Sequence, residues 1–211
     1  MSIDDLKDAT PKRKNNRRDQ IVAAAERLLE QKGLAAVTTR AIAEAVPCSE
    51  GAIYVHFPNR LELILTVFEQ RLREMLVPLK ALEQQVGQAT PRANLLEATA
   101  ALRKFHNQVV PMLCSMFAEA DLLAGFRGSL AARQKGPHGA VGRLAAYITA
   151  EQRAGRVDRG VDPGFVAATL MAGSFFAAFH RALLGQTLAV LAPDRLVDEL
   201  LGAKNKARAA T

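Results

Sequence analysis

The sequence predicts an all-α protein. Aromatic residues make up only 5% of the 211 residues and tryptophan is absent. Alanine, leucine and arginine, which favour helices, are commoner than the residues that favour strands. Apolar residues also recur at intervals of three and four, the pattern of helices that bury one face. A hydrophobic content of 49% is sufficient for a packed core, so disorder of the whole chain is excluded.

The first three helices are predicted to be short and close together. Residues 17–31 carry an apolar stripe on one helical face, and Gly33 is expected to end that helix in the left-handed conformation. Thr38 is expected to cap a second helix, which Pro47 ends at residue 46. Ser49 is expected to cap a third helix over residues 50–57.

A long fourth helix is predicted over residues 59–79. Asn59 is its expected cap, Glu62 stands at the matching position of a capping box, and Pro78 is expected to disturb its end. Further helices are expected at residues 91–108, 111–123, 129–154, 163–186 and 193–203. Their expected boundaries are Pro111, the glycines at 125 and 128, the segment 155–162 and Pro193.

Charge and motif content restrict the class of function. The net charge of +7 suggests a polyanionic partner, but the excess is not confined to one end of the chain. Five basic residues cluster near the N-terminus: Lys12, Arg13, Lys14, Arg17 and Arg18. Taken alone, this cluster fits a solvated tail as well as a DNA-binding arm. Two cysteines and a polar start without an apolar leader favour a cytoplasmic location. G-x-S-x-G, P-loop and H-E-x-x-H motifs are absent, so we expect no enzyme and no cofactor. The histidines lack metal-ligand spacing, so no metal is expected.

The second and third predicted helices have the spacing of a helix-turn-helix, whose second helix enters the major groove of DNA. The residues that carry this pattern are Thr38-Thr39, Ile42-Ala43, Ser49-Glu50-Gly51-Ala52-Ile53-Tyr54, His56-Phe57 and Pro58. Residues 17–64 thereby resemble the DNA-binding domain of the TetR (tetracycline-repressor-like) transcriptional regulators.

This resemblance implies a set of DNA contacts. Phosphate contacts are implied for Thr38, Ser49, Tyr54 and His56, and groove contacts for Thr39, Arg40, Glu50 and Ala52. Gly51 is expected to allow close approach of the backbone to DNA or to the neighbouring helix. Arg40 suits guanine, because arginine is the commonest bidentate reader of that base.

Four positions depart from the family pattern, and one of them is Leu61, which replaces a frequent glutamate. Pro47 stands where the family usually has glycine, and proline cannot adopt a positive φ, so the turn must differ. Ala52 replaces a frequent threonine but keeps a methyl group that can touch thymine. Arg60 replaces the usual lysine and is expected to neutralise a phosphate. These changes leave the operator sequence open.

Beyond residue 66 the resemblance is one of architecture, and it implies a helical domain that dimerises and holds a small ligand. Residues 163–180 carry no charge, but Arg181 follows at once and small residues interrupt the segment, so a buried helix is predicted rather than a membrane span. A subunit contact is expected at Phe175, Phe176, Phe179 and Leu183.

A ligand pocket is expected at Phe105, Val109, Met112, Met116 and Phe117, because methionine side chains suit an adaptable apolar site. The alternative is that these residues are ordinary core. His106 could orient a polar group of a ligand, although a single histidine is more often structural. Cys48 is expected to fill a small apolar slot in the turn, and oxidant sensing is the less favoured interpretation.

The domains are expected to be a basic disordered arm (residues 1–16), a DNA-binding domain (17–62), a ligand-binding and dimerisation domain (63–204) and a tail (205–211). The predicted function is a homodimeric regulator, most often a repressor, that binds a palindromic operator in double-stranded DNA. A small, largely apolar effector would release it. The alternative is an architectural DNA-binding protein without an effector.

Overall fold

The computed structural model describes residues 16–134 and 136–202, and within these ranges the chain is helical without β-strands, as predicted. The α-helices are α1 (Asn16–Lys32), α2 (Thr39–Ala45), α3 (Glu50–His56), α4 (Arg60–Ala81), α5 (Pro91–Met116), α6 (Ala120–Ala132), α7 (His138–Arg153), α8 (Pro163–Leu184) and α9 (Pro193–Gly202). Three 3-10 turns (Leu34–Ala36, Leu82–Gln84 and Ala189–Leu191) connect them. The predicted tail, and the predicted arm up to residue 15 with Lys12, Arg13 and Lys14, lie outside the described residues.

The N-terminal helices begin and end where local chemistry places their boundaries. Gly33 has a φ of 79°, which glycine adopts without steric cost. The side-chain oxygens of Thr38, Ser49 and Asn59 each accept a hydrogen bond from the backbone N–H three residues later, at 2.9–3.2 Å. All three predicted caps are therefore confirmed.

Two hydrophobic clusters meet on α4. The first cluster packs α1, α2 and α3 against Leu63 and Val67 of α4. The second packs α5, α7, α8 and α9 around Ile64, Phe68 and further residues of the same helix. Because α4 contributes side chains to both clusters, a displacement of this helix moves the first three helices with it.

The predicted boundary at Pro111 is wrong, because α5 continues through it to Met116. Pro111 is exposed, so the backbone groups that it leaves unpaired face solvent. Its neighbours Val110 and Met112 are almost completely buried. Packing of this apolar face outweighs the roughly 3 kcal/mol that an internal proline costs a helix.

The boundaries predicted at Pro78 and at the two glycines of residues 120–132 are also wrong. Helix α4 continues past Pro78 to Ala81, and α6 contains both Gly125 and Gly128. A Cβ atom at Gly125 would lie 2.5 Å from Leu61 Cδ2, so this glycine allows α6 to pack closely on α4. The next helix begins at His138 rather than at 129.

Candidate nucleic-acid interface

Helices α2 and α3 are joined by a tight turn without a positive φ. Val46 is extended (φ −124°, ψ 124°), Pro47 and Cys48 form the turn, and Ser49 caps α3. The guanidinium of Arg17 on α1 donates a hydrogen bond to the Pro47 carbonyl oxygen at 3.2 Å. Cys48 is half-buried against the first hydrophobic cluster, in agreement with its expected packing role. The turn therefore accommodates Pro47 without a left-handed residue, and Val46 before it is extended, as a residue preceding proline prefers.

The residues implied to contact DNA divide by exposure. Seven are exposed on one side of the first cluster: Thr38, Arg40, Ser49, Glu50, Gly51, Tyr54 and His56. Thr39, Ala52 and Arg60 are half-buried. The structure thus brings together on one surface most of the positions that the sequence motif singles out.

Two of these positions are bonded to each other. The Thr39 hydroxyl donates to a Glu50 carboxylate oxygen at 2.6 Å, which links the first residues of α2 and α3. Arg40 is paired with Glu44 one turn later at 3.2 Å, but its side chain is 83% exposed. An exposed pair of this kind contributes little to stability, so the Arg40 guanidinium is free to exchange Glu44 for another acceptor.

Arg60 forms internal contacts that the sequence did not predict. Its guanidinium donates to the carbonyl oxygens of Val37 at 2.9 Å and Leu34 at 2.7 Å, and forms a two-nitrogen ion pair with Glu119. Glu119 is the residue before α6. Arg60 is therefore part of an internal tie between the first three helices and the start of α6, and its expected phosphate contact stays a prediction.

Sequence reasoning missed this tie because Glu119 lies 59 residues from Arg60. No local pattern connects the two positions. The tie lies at one wall of an open groove of about 470 Å³ whose other walls include Thr38, Thr39 and Tyr54. Arg60 thus lines the same groove as three residues that the motif assigns to DNA.

We expect Arg60→Lys to lower the free energy of unfolding by roughly 1.5–3 kcal/mol, because an ammonium group cannot reproduce the fork of donors to two carbonyls and a carboxylate. Urea unfolding measures this loss. The salt dependence of DNA binding should keep its slope, since lysine keeps the positive charge. Wild-type stability of Arg60→Lys would show that the tie does not stabilise the fold.

Packing within the protein does not explain why residue 51 is glycine. A Cβ atom at this position would meet Ser49 Oγ at 3.8 Å, an ordinary contact. Its φ lies outside the left-handed region, as in any helical residue. Close approach to the neighbouring helix is therefore excluded as the reason for glycine, and close approach to DNA remains.

The residues expected to line a ligand pocket lie in two different environments. Phe105, Val109, Met112 and Met116 belong to the second hydrophobic cluster and are 8% exposed or less. Phe117, at the end of α5, is 68% exposed. The four buried residues therefore lie in the core, whereas Phe117 lies outside it.

His106 lies beside this region. Its ring packs edge-on against Phe175 at a centroid distance of 5.7 Å, and burial lowers its pKa to about 4. Its Nδ1 atom has no hydrogen-bond partner among the described residues, and neither has the buried Oγ of Ser174 on α8. Buried polar atoms without partners are uncommon in folded proteins and are expected to bond something absent from the isolated chain.

The lowered pKa of His106 predicts a loss of stability in acid. The unfolded chain binds a proton at this histidine below about pH 6.5, whereas the folded protein does so only near pH 4, so stability falls as the pH falls between these values. A His106→Phe variant should lose roughly 2 kcal/mol less than the wild type between pH 7 and pH 4.5. Urea unfolding at both pH values measures the difference; the other histidines are common to both proteins. Equal losses would contradict a neutral His106.

An apolar stripe lies exposed along α8. It consists of Phe165, Ala168, Ala172, Phe176, Phe179 and Leu183, spaced at three and four residues, with Phe175 beside it. Among the described residues, α8 also has the length and composition of a membrane span, and 39% of its apolar window is buried inside the protein. The four residues predicted to form a subunit contact therefore share one surface of the isolated chain.

Comparison with known proteins identifies the family of the N-terminal domain. The family model of bacterial regulatory proteins of the tetR family matches residues 21–67. Residues 21–67 are therefore a domain of the tetR family. The match runs from α1 into α4 and contains the turn, the caps and the exposed surface described above, in agreement with the resemblance found in the sequence. The family is one of regulators, which agrees with the prediction of a protein that is not an enzyme.

Relatives and solved structures extend the comparison beyond this domain. The nucleoid occlusion factor SlmA of Marinomonas sp. (strain MWYL1) is 30% identical over 113 residues, 54% of this chain and 55% of that protein. The chain therefore matches about half the length of that relative. A TetR transcription regulator from Haloarcula marismortui has the same fold, with a TM-score of 0.71 and 18% identity over 90% of this chain and 98% of that one.

The structure of the regulator FadR from Bacillus subtilis in complex with stearoyl-CoA is a second structural neighbour. Its TM-score is 0.60 at 16% identity, and the match covers 87% of this chain and 97% of that one. Because both matches cover about nine-tenths of this chain, the shared fold extends well beyond the first domain.

Proposed function

We propose that this protein is a cytoplasmic transcriptional regulator that binds a palindromic DNA operator as a homodimer and is released by a small, largely apolar effector. The observation that carries the proposal is the exposed surface of α2 and α3. Seven residues of the motif are exposed there, within a domain that matches the tetR-family model. A helix-turn-helix presents this surface to the major groove.

The exposed residues have distinct roles in this proposal. Thr38, Ser49, Tyr54 and His56 contact phosphates, and these contacts set the orientation of the protein on DNA. Arg40 exchanges its exposed pairing with Glu44 for the O6 and N7 atoms of guanine. Thr39 holds the Glu50 carboxylate in place, where Glu50 can accept from a cytosine amine.

The dimer contact is proposed on α8. Phe175, Phe176, Phe179 and Leu183 are exposed or half-buried in the isolated chain, and Ala168 and Ala172 on the same stripe let a second helix approach closely. A two-fold axis through this stripe places the same residues of both subunits in contact. It also supplies two copies of α3, as a palindromic operator requires.

The effector is proposed to bind around α5, between Met112, Met116 and the unpartnered Nδ1 atom of His106. The bound stearoyl-CoA of the FadR neighbour is a ligand with a long apolar part, and it supports an apolar effector here. Such a ligand must displace well-packed core, so it favours a second arrangement of the helices over the present one.

A route from the effector to DNA runs through α6 and α4. Helix α6 is held on α4 by the Arg60–Glu119 pair, by the close contact of Gly125 with Leu61, and by the pairing of Arg133 with Glu62 at 3.8 Å. Movement of α6 or of α4 therefore changes the position of α3 in each subunit. The two reading helices then lose the spacing of about 34–36 Å that one turn of DNA demands.

Selection of genomic fragments by the purified full chain tests this proposal. We expect enrichment of one palindrome with an affinity at least about 1,000-fold above that for random DNA. Stearoyl-CoA is the first effector probe, and an unchanged operator Kd in its presence would reject an acyl-CoA effector. Salt titration of the selected fragment then separates phosphate contacts from base contacts.

An architectural DNA-binding protein without an effector is the second candidate, and the similarity to a nucleoid occlusion factor favours it. Such a protein would not need an effector to leave DNA. Equal, salt-sensitive binding to all genomic fragments would indicate this role, whereas one preferred palindrome whose binding responds to a ligand would reject it.

A further inference from the structure

Val55 on α3 is the most exposed of the large apolar side chains of the described chain, at 82%. It belongs to the same short helix as the motif residues, but it is not one of the positions that the sequence pattern marks. Exposing a valine in this way gives the folded monomer no packing energy. A contact outside the monomer would give this side chain the burial that the monomer does not.

Helix geometry places Val55 on the outermost line of α3. Ile53, the residue that anchors this helix in the first cluster, is 1% exposed. Gly51 and Val55 lie two residues before and two residues after it, and each is turned about 160° away from it around the helix axis. The two residues are therefore on adjacent turns of the face opposite the core, the face that would enter a groove deepest.

The residues on this outermost line are apolar and have small side chains or none. Gly51 contributes no side chain, so the backbone of α3 can approach a surface closely, and Val55 then supplies two methyl groups one turn later. The charged neighbour Glu50 is turned toward Thr39 by their hydrogen bond. The part of α3 that lies furthest from the core therefore carries no charge and no hydrogen-bonding side chain.

Among the features of the major groove, the 5-methyl group of thymine is the one that an apolar side chain can recognise. We propose that Val55 contacts thymine methyl groups and sets a preference for thymine at one or two positions of each operator half-site. This inference rests on the proposed DNA-binding function, and it goes beyond it by naming the base and the side chain that reads it.

Deoxyuridine tests this contact directly, because it removes the methyl group of thymine and leaves the base pairing intact. The operator selected by the wild-type chain is synthesised with each half-site thymine replaced in turn, symmetrically in both half-sites. Binding is measured for the wild type, for Val55→Ala and for the control Val77→Ala, which alters a valine of α4 that is 67% exposed.

We expect the wild type to lose about fourfold in affinity for each methyl group that Val55 buries, at one or two thymine positions. The Val77→Ala control should show the same loss. Val55→Ala should bind the thymine and deoxyuridine operators equally well and keep the melting temperature of the wild type, because so exposed a side chain does not support the core.

Each contrary result points to a different failure. A selection that enriches no sequence would reject the proposed regulatory function itself, and the inference with it. An operator in which every thymine tolerates deoxyuridine would reject the role of Val55 alone. If Val55→Ala kept the full sensitivity to deoxyuridine, another residue would be reading the methyl group and the inference would be wrong.

Discussion

A Gly51→Leu protein should fold normally and lose at least about 100-fold in operator affinity. The new side chain stands on the outer face of α3 and keeps its backbone away from the base edges, which removes two or more contacts worth roughly 1–3 kcal/mol each. Folding is spared because the first atom of the new side chain meets nothing closer than 3.8 Å. Leucine also favours a helix by up to about 1 kcal/mol over glycine.

Gly128→Leu is the matched control for this variant. Gly128 is a helical glycine on α6 with no atom within 4 Å of a Cβ position, so leucine is accommodated there as well. We expect this control to bind the operator like the wild type. Fluorescence anisotropy gives the affinities, and thermal unfolding confirms that both variants are folded. Wild-type affinity of Gly51→Leu would show that α3 does not enter the groove.

Phe176→Glu should convert the proposed dimer into monomers. Phe176 is 51% exposed in the isolated chain and lies between Ala172 and Phe179 on the stripe of α8. Two-fold symmetry buries both copies of the new carboxylate without a partner, at a cost of several kcal/mol per charge. We expect the dissociation constant of the dimer to rise at least about 100-fold.

Light scattering after size-exclusion chromatography measures the mass, and operator binding should weaken along with dimerisation because one half-site binds alone. Val77→Glu is the control, since Val77 is even more exposed but lies on α4. It should remain dimeric and bind DNA. A dimeric Phe176→Glu protein would show that the subunits meet elsewhere.

The predicted helix-turn-helix was accessible from the sequence because its signals are local. Thr38, Ser49 and Asn59 each bond a backbone N–H three residues away, so the residue type and its immediate context specify the cap. The helical class follows from composition and from the spacing of apolar residues, and it is confirmed.

The errors in the fold occurred where packing opposed a local signal. Pro111 and Pro78 are helix breakers by themselves, yet both lie within helices. Gly125 disfavours a helix in isolation, but in α6 it leaves room for the side chain of Leu61. Propensity supplies about 1–3 kcal/mol per residue, and the burial of an apolar helical face supplies more.

The sequence by itself determined the helical class, the N-terminal caps and the motif positions on α2 and α3, because each depends on residues within one or two helical turns. The tertiary structure decided that Arg60 pairs with Glu119, that His106 is buried away from solvent, and that Val55 is exposed. These three facts depend on which helices meet. Contacts between residues far apart in the chain arise from the collective burial of apolar faces, which no local pattern specifies.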